Sequence, residues 1–329
     1  MTTSVRTAAA GSAVSVPVIK IRAIAYARLR APDLDLAESF LTDFGMVRSA
    51  RTSTALYMRG SGPLHHLHVT ELGPPAFVGF AYAVDDPDDL ERIARFPGAS
   101  GIEPIDEPGA GRRVRLREPN GFQIEIVHGI ESVAELPIEP YPQHATKESM
   151  KPPPGMRVKF GPSRIRRISH GVLATPDVPG TVRWWREVLG VIPTDDMYAG
   201  SYDNLIGSFN RIDAGDQPVD HHVIFVLKNT VAGLHHLSFE VEDVEDIFLG
   251  NEHLERVGKY EHLRGIGRHI LGSQVYDYWL DPWNRMHEHW KSSERFTAAN
   301  GPSRMLVGEG FVSEYGDPPS PRFVHHVTP

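Results

Sequence analysis

Residues 268–290, RHILGSQVYDYWLDPWNRMHEHW, have the pattern of a β-hairpin. Aromatic and β-branched residues at 276–280 favour a strand, 281–284 a turn, and 285–290 a returning strand. Because side chains alternate between the two faces of a strand, Glu288 lies on the opposite face from the histidines on either side of it. The stretch therefore predicts one carboxylate directed toward whatever the hairpin encloses.

An internal repeat surrounds this hairpin. Three blocks of the N-terminal half align in the same order with three blocks of the C-terminal half: IAYARLRAPD (24–33) with ISHGVLATPD (168–177), FVGFAYAVDDPDDL (77–90) with HHLSFEVEDVEDI (235–247), and EPNGFQIEI (118–126) with DPWNRMHEH (281–289). Each half contains two units with the order strand, helix and three strands. We therefore expect an α+β fold of two homologous domains, each a pair of βαβββ modules forming a curved, barrel-like sheet around a central cavity.

Composition predicts the boundaries between these parts. Residues 131–163 contain ELPIEPYP and KPPPG and are too rich in Pro for regular structure, and residues 1–18 are small and polar. We expect a flexible tail over 1–18, an N-terminal domain without metal over 19–130, a Pro-rich linker over 131–163 and a C-terminal domain over 164–291. The last part, 292–329, has no repeat partner, and we expect it to cover the site mouth or to form an oligomer contact.

The overall composition limits the function classes. The 329 residues suffice for about two domains. The net charge of −8 disfavours nucleic acid and anionic membranes as partners, and no apolar run approaches the ~18 residues that span a bilayer. The absence of cysteine excludes disulfides, thiolate metal sites and cysteine nucleophiles. We expect a cytoplasmic protein in which His, Asp or Glu would hold any metal.

The repeat alignment identifies candidate metal ligands. The residues His170, His236 and Glu288 correspond in the N-terminal half to Tyr26, Gly79 and Glu125. Taken singly, each has an ordinary alternative, such as a solvent-exposed strand-start His, a His hydrogen-bonded in a wet groove, or a Glu with its head in water. Together, two imidazoles and one carboxylate are the facial triad that binds Fe(II) and leaves coordination positions open. We expect this site in the C-terminal half alone.

The spacing around the hairpin also resembles a known family. His269, Tyr278, the Asp281-Pro282 turn and Glu288 are spaced as in the type I extradiol ring-cleavage dioxygenases of the vicinal oxygen chelate superfamily. The resemblance covers roughly residues 19–290. It implies that the C-terminal domain is catalytic and performs extradiol (meta) cleavage of a catechol-type diol with both atoms of O2, in aromatic compound catabolism. It also implies His170, His236 and Glu288 as ligands of Fe(II), with Mn(II) as the other candidate ion, and a homo-oligomer.

The resemblance implies three further catalytic residues. His221, fifteen residues before His236, would lie beside the oxygen site and pass a proton, but His222 is an equally placed rival that strand parity does not exclude. Tyr278 would donate to the phenolic oxygen of the substrate, and His269 would position or deprotonate it. The turn departs from the family, since Trp283-Asn284 stands where a small residue and Gly are common. Asn tolerates positive φ, so the turn can survive.

Two other functions fit the same fold. A glyoxalase-like isomerase or lyase would use Zn, Ni or Co and normally a fourth protein ligand. A non-catalytic ligand-binding module of the resistance type would need no metal. The sequence predicts the extradiol dioxygenase over both, but it does not identify the catechol.

Overall fold

The computed structural model describes residues 16–141, 158–307 and 313–328. Most of the predicted N-terminal tail and residues 142–157 of the predicted linker lie outside the described residues. Among the described residues, no helix is both long and apolar enough to cross a bilayer.

The N-terminal half forms one sheet from two βαβββ modules. The first module comprises β1 (Ala23–Ala31), α1 (Leu34–Asp43), β2 (Val47–Arg51), β3 (Ala55–Arg59) and β4 (His68–Leu72). The second comprises β5 (Ala76–Ala83), α2 (Asp88–Ile93), β6 (Glu103–Pro104), β7 (Arg112–Arg117) and β8 (Gln123–His128). The strand order is β2-β3-β4-β1-β5-β8-β7-β6, with the two modules joined between β1 and β5.

The C-terminal half repeats this arrangement. Its first module comprises β9 (Ile165–Thr175), α3 (Val178–Leu189), β10 (Ile192–Tyr198), β11 (Leu205–Arg211), the short β12 (Val219–Asp220) and β13 (Ile224–Lys228). Its second comprises β14 (Gly233–Val241), α4 (Val244–Val257), β15 (Glu261–His269), β16 (Val275–Leu280) and β17 (Met286–Lys291). The later elements are β18 (Arg295–Phe296), β19 (Ser303–Leu306), β20 (Ser313–Tyr315) and α5 (Pro321–Val324).

Strand order confirms the duplicated α+β fold. Within the ten-stranded sheet, β10-β11-β13-β9-β14-β17-β16-β15 has the same order as the N-terminal sheet, and β19 and β20 extend its two edges. Both sheets are curved but remain open at their edges, so neither closes into a barrel. The last segment of the chain therefore adds strands to the C-terminal sheet, which the repeat alone does not predict.

Local sequence accounts for the ends of these elements. The helix α3 begins where the Asp177 carboxylate accepts a hydrogen bond from the Gly180 N–H, and it ends at Gly190 with φ 70°. The predicted hairpin is β16 and β17, which pair antiparallel. In its turn the Asp281 carboxylate accepts from backbone N–H groups, and Asn284 has φ 64°. Asn thus supplies the left-handed conformation that Gly supplies in the N-terminal copy.

The register of the central strands brings the predicted ligands together. β9, β14 and β17 are neighbours in the middle of the C-terminal sheet. Ser238 of β14 pairs with His170 of β9 on one side and with Glu288 of β17 on the other. His236 lies two residues before Ser238 and so shares its face of the sheet. Three ligand candidates that span more than 100 positions of sequence therefore meet on adjacent strands.

Candidate metal centre

The three predicted ligands form a compact buried cluster. One nitrogen each of His170 and His236 and one oxygen of Glu288 all lie within 4.8 Å of one another. Nε2 of His170 is 3.3 Å, and Nε2 of His236 is 3.5 Å, from Oε2 of Glu288. Oε1 of Glu288 is buried and has no hydrogen-bond partner among the described residues. A buried carboxylate oxygen without a donor is costly, so the donor set and this unpaired oxygen fit a divalent cation.

Hydrogen bonds assign which nitrogen of each ligand is free. The Phe323 carbonyl accepts from His235 Nε2–H at 2.9 Å, which leaves His235 Nδ1 as an acceptor. That nitrogen lies 2.7 Å from Nδ1 of His236, so His236 carries its proton on Nδ1 and presents a bare Nε2 to Glu288. Nδ1 of His170 similarly contacts the Ser169 hydroxyl at 2.9 Å. Both imidazoles therefore turn Nε2 toward the common centre.

Burial and nearby charges keep the side chains of the cluster in the protonation states that bind a metal. Burial lowers the pKa of His170, although the nearby Glu288 opposes this shift. Burial alone would raise the pKa of Glu288, but contacts with His170, His236 and His269 bring it well below its ordinary value. A neutral His170 and an ionised Glu288 at neutral pH are the protonation states that bind a metal.

The remaining predicted pair lies beside the cluster. His269 Nε2 is 2.8 Å from the Tyr278 hydroxyl oxygen, and both side chains line the same pocket as the cluster. Tyr278 is the cross-strand partner of Glu288. The His269 ring stacks on Tyr276 at 4.1 Å, and the Tyr276 hydroxyl bonds to Ser313 at 2.7 Å. Tyr276 thus holds His269 in place.

The sequence left the choice between His221 and His222 open, and of the two it is His222 that lines the pocket. The His222 ring centroid is 4.0 Å from that of His170. The His221 ring turns away, with Nε2 2.5 Å from Oδ2 of Asp195. Both histidines lie in the segment between β12 and β13, where no strand alternation fixes their direction.

Sequence reasoning missed two residues of the site, one that contacts Glu288 and one that lines the pocket. The Ser238 hydroxyl donates to Oε2 of Glu288, and its place two residues after His236 was the only signal available. Arg264 is 6% exposed, lines the pocket and lies over the Tyr276 ring, with Nη2 donating to Ser313 Oγ at 2.7 Å. Arg264 forms no ion pair with a carboxylate among the described residues. No spacing in the sequence identified it.

An apolar wall completes the pocket. Phe209 and Phe225 stack with centroids 3.9 Å apart, and Phe323 and Val324 of α5 also line the cavity. Flat apolar groups face a polar floor formed by the cluster, His269 and Tyr278. Such a cavity can hold a planar ring whose polar substituents meet the floor.

Comparison with known proteins agrees with this geometry. The chain belongs to the Glyoxalase/Bleomycin resistance protein/Dioxygenase superfamily, whose family model matches residues 23–126 and 167–284. Metapyrocatechase 2 of Cupriavidus necator is 26% identical over 318 residues, covering 93% of this chain and 92% of that protein. A manganese-dependent 2,3-dihydroxybiphenyl 1,2-dioxygenase of Geobacillus genomosp. 3 is 24% identical over 269 residues, covering 77% of this chain and 79% of that protein.

A solved structure has the same fold over nearly the whole chain. Homoprotocatechuate 2,3-dioxygenase of Brevibacterium fuscum, in complex with 3,4-dihydroxyphenylacetate, superposes with a TM-score of 0.78 at 21% identity. The match covers 95% of this chain and 94% of that one. The resemblance to extradiol dioxygenases inferred from the sequence is confirmed.

Proposed function

We propose that this protein is an extradiol dioxygenase that opens the ring of a catechol-type diol with both atoms of O2. The observation that carries this proposal is the buried cluster of His170, His236 and Glu288 at the floor of an apolar pocket. These residues would hold Fe(II) or Mn(II). When bound, the metal would supply binding positions for the diol and for O2 and would lower the pKa of a diol hydroxyl.

Tyr278 and His269 would orient the diol. Burial, together with the nearby Glu288, raises the pKa of Tyr278 well above its ordinary value, so its hydroxyl stays protonated and can donate to a substrate oxygen. Burial lowers the pKa of His269, against the effect of Glu288, so the ring is neutral; its Nε2–H can donate to the Tyr278 oxygen, which leaves the Tyr278 proton for the substrate. Since the two side chains are already hydrogen-bonded to each other, the donor is positioned before substrate arrives.

His222 takes the part that the sequence predicted for His221. Its neutral ring lies against His170 at the pocket wall, where it can receive a proton released by the diol. The apolar wall excludes water from the space above the ring of the substrate. Exclusion of water strengthens the hydrogen bonds made at the polar floor.

Arg264 supports a finer proposal about the substrate. A buried guanidinium that lines the pocket without a carboxylate partner among the described residues can pair with an acidic substituent. We therefore infer that the preferred diol carries a carboxylate. Arg264→Leu should raise KM for 3,4-dihydroxyphenylacetate about 10- to 100-fold, corresponding to ~1.5–3 kcal/mol for a charge-assisted hydrogen bond, and should change KM for unsubstituted catechol little.

The test of the function is a metal and oxygen assay. Protein purified without oxygen should contain Fe(II) or Mn(II), should consume O2 with catechols, and should form yellow ring-cleavage products. Bound metal without oxygen uptake on any diol would favour a glyoxalase-like isomerase or lyase. Protein that binds diols without metal would favour a binding module, and either result contradicts the proposal.

A further inference from the structure

His222 is the end of a chain of three side chains. Oδ2 of Asp195 lies 2.5 Å from Nε2 of His221, and Nδ1 of His221 lies 3.0 Å from Nδ1 of His222. The hydroxyl of Ser303, which is exposed, donates to the other oxygen of Asp195. The Asp and both histidines are buried. Nε2 of His222 makes no hydrogen bond to the described residues.

This chain assigns the protons on both rings. Burial would raise the pKa of Asp195, but contact with His221 lowers it below its ordinary value, so Asp195 is a carboxylate and can only accept. His221 then carries a proton on Nε2, and in the neutral form of its ring the bare Nδ1 accepts from Nδ1–H of His222. The remaining nitrogen, Nε2 of His222, is left without a proton, on a ring that lines the pocket.

The N-terminal half contains the same histidine pair without the carboxylate. Nδ1 of His65 lies 3.0 Å from Nδ1 of His66, and strand register makes these residues equivalent to the pair beside the metal cluster. The register equivalent of Asp195 is Ala50. His65 has no carboxylate within ion-pair distance among the described residues. Packing alone thus keeps a histidine pair in this place, and the carboxylate is present only where the ligands are.

The same arrangement of an acceptor and two histidines occurs at the proposed metal ligand His236. There His235 lies between an acceptor, the Phe323 carbonyl, and the functional ring, again with the Nδ1 atoms of both rings in contact. In both pairs the outer histidine donates its Nε2–H to a group that can only accept, and its Nδ1 accepts from the inner histidine. The inner histidine therefore presents a bare Nε2 to the pocket.

We propose that Asp195 and His221 are positioning residues that fix His222 in the tautomer with a bare Nε2, so that His222 meets the substrate as a proton acceptor. This inference rests on the proposed diol cleavage. The carboxylate and outer imidazole touch neither substrate nor metal. They act by holding the orientation and tautomer of the ring that does, as the Asp of a Ser-His-Asp triad does for its His.

The kinetics of the Asp195→Asn variant test this relay of Asp195, His221 and His222. The variant should lower kcat about 10- to 100-fold, as loss of an orienting partner typically does, with KM for the diol and metal content unchanged, and Asp195→Glu should recover part of the rate. Asp196→Asn is the matched control, because the neighbouring Asp196 pairs with Arg186 and Ser208 instead. A wild-type kcat in Asp195→Asn, or a loss of rate that follows loss of metal, would overturn the proposal.

A measurement without turnover separates this inference from the proposed function. ¹⁵N-imidazole NMR of the wild-type protein loaded with diamagnetic Zn(II) should assign the His222 proton to Nδ1, with His222→Gln identifying the signals. A proton on Nε2 would refute the relay even in an active enzyme. Wild-type protein that shows the expected tautomer but cleaves no catechol would instead refute the proposed function.

Discussion

Glu125 and Glu288 occupy equivalent positions in the two halves, yet their surroundings differ. Oε2 of Glu125 accepts from the Tyr26 hydroxyl at 2.7 Å, and Oε1 accepts from Nε of Arg28 at 2.8 Å. Glu288 has two imidazoles and a hydroxyl near Oε2 and no donor at Oε1 among the described residues. The N-terminal half therefore supplies its own cation, whereas the C-terminal half leaves room for one.

The guanidinium of Arg28 organises the N-terminal cluster. It also pairs with Glu71 at 2.7 Å and with Glu107 at 2.8 Å, and Arg113 adds a second cation beside Glu125. Buried carboxylates that are already neutralised by two guanidiniums offer no vacancy for a divalent ion. The duplicated scaffold thus stabilises one buried Glu through fixed ion pairs, and under the proposed function it would stabilise the other through a metal.

Removal of the two carboxylates should have opposite consequences. Glu288→Gln should abolish bound metal and oxygen uptake, because a ligand charge is lost, while the fold remains. Glu125→Gln should keep the metal and lower the free energy of unfolding by about 3–5 kcal/mol, because Arg28 is left buried with less charge compensation. Metal analysis and denaturant unfolding of the apo-proteins measure both effects.

The same two variants can also contradict the contrast drawn between Glu125 and Glu288. Retention of metal by Glu288→Gln would remove the ligand assignment, and loss of metal from Glu125→Gln would show that the halves are not independent. Asp85→Asn is a control for the N-terminal half, since its exposed ion pair with Arg22 should contribute little to stability.

The sequence predicted the part of the site that regular strands carry. Three aligned blocks gave the duplication, and the six residues from Pro to Glu in both hairpins placed Glu288 on Glu125. The pairing register supports the same equivalence, since Glu125 faces Ala81 of β5 as Glu288 faces Ser238 of β14. Strand alternation was sufficient for Glu288 because β17 pairs with β14 and β16 without a register shift.

Prediction from the sequence failed where the backbone departs from regular strand alternation. Strict alternation would direct His235 and His236 to opposite faces, but a register shift between Leu234 and His236 lets both line the pocket. The choice between His221 and His222 depends on a segment outside the strands. Asp195 and Arg264 act through tertiary contacts that no local pattern records, so only the folded chain reveals them.

A variant of Gly79, the counterpart of His236, tests why the N-terminal half has no ligand at this position. A Cβ there would lie 1.8 Å from the Gln123 carbonyl oxygen on the neighbouring strand. Gly79→Ala should therefore lower the free energy of unfolding by about 1–3 kcal/mol, the usual cost of overpacking. His236→Ala should lose metal and keep the fold. Normal stability of Gly79→Ala would show that space does not exclude a ligand from this position.

The smallest expected effect concerns the acid stability of the N-terminal cluster. Burial alone would raise the pKa of Glu107, but Arg28 and Arg113 lower it from 4.5 to about 2. Because the folded state binds this proton less readily, the carboxylate stabilises the protein above pH 4.5, and that contribution disappears as the pH falls through about 2. Glu107→Gln should thus be less stable than wild type at neutral pH, and the gap should close between pH 4.5 and about 2. Urea unfolding across this range measures the gap, and a gap that does not change with pH would mean that Glu107 contributes through packing instead of charge.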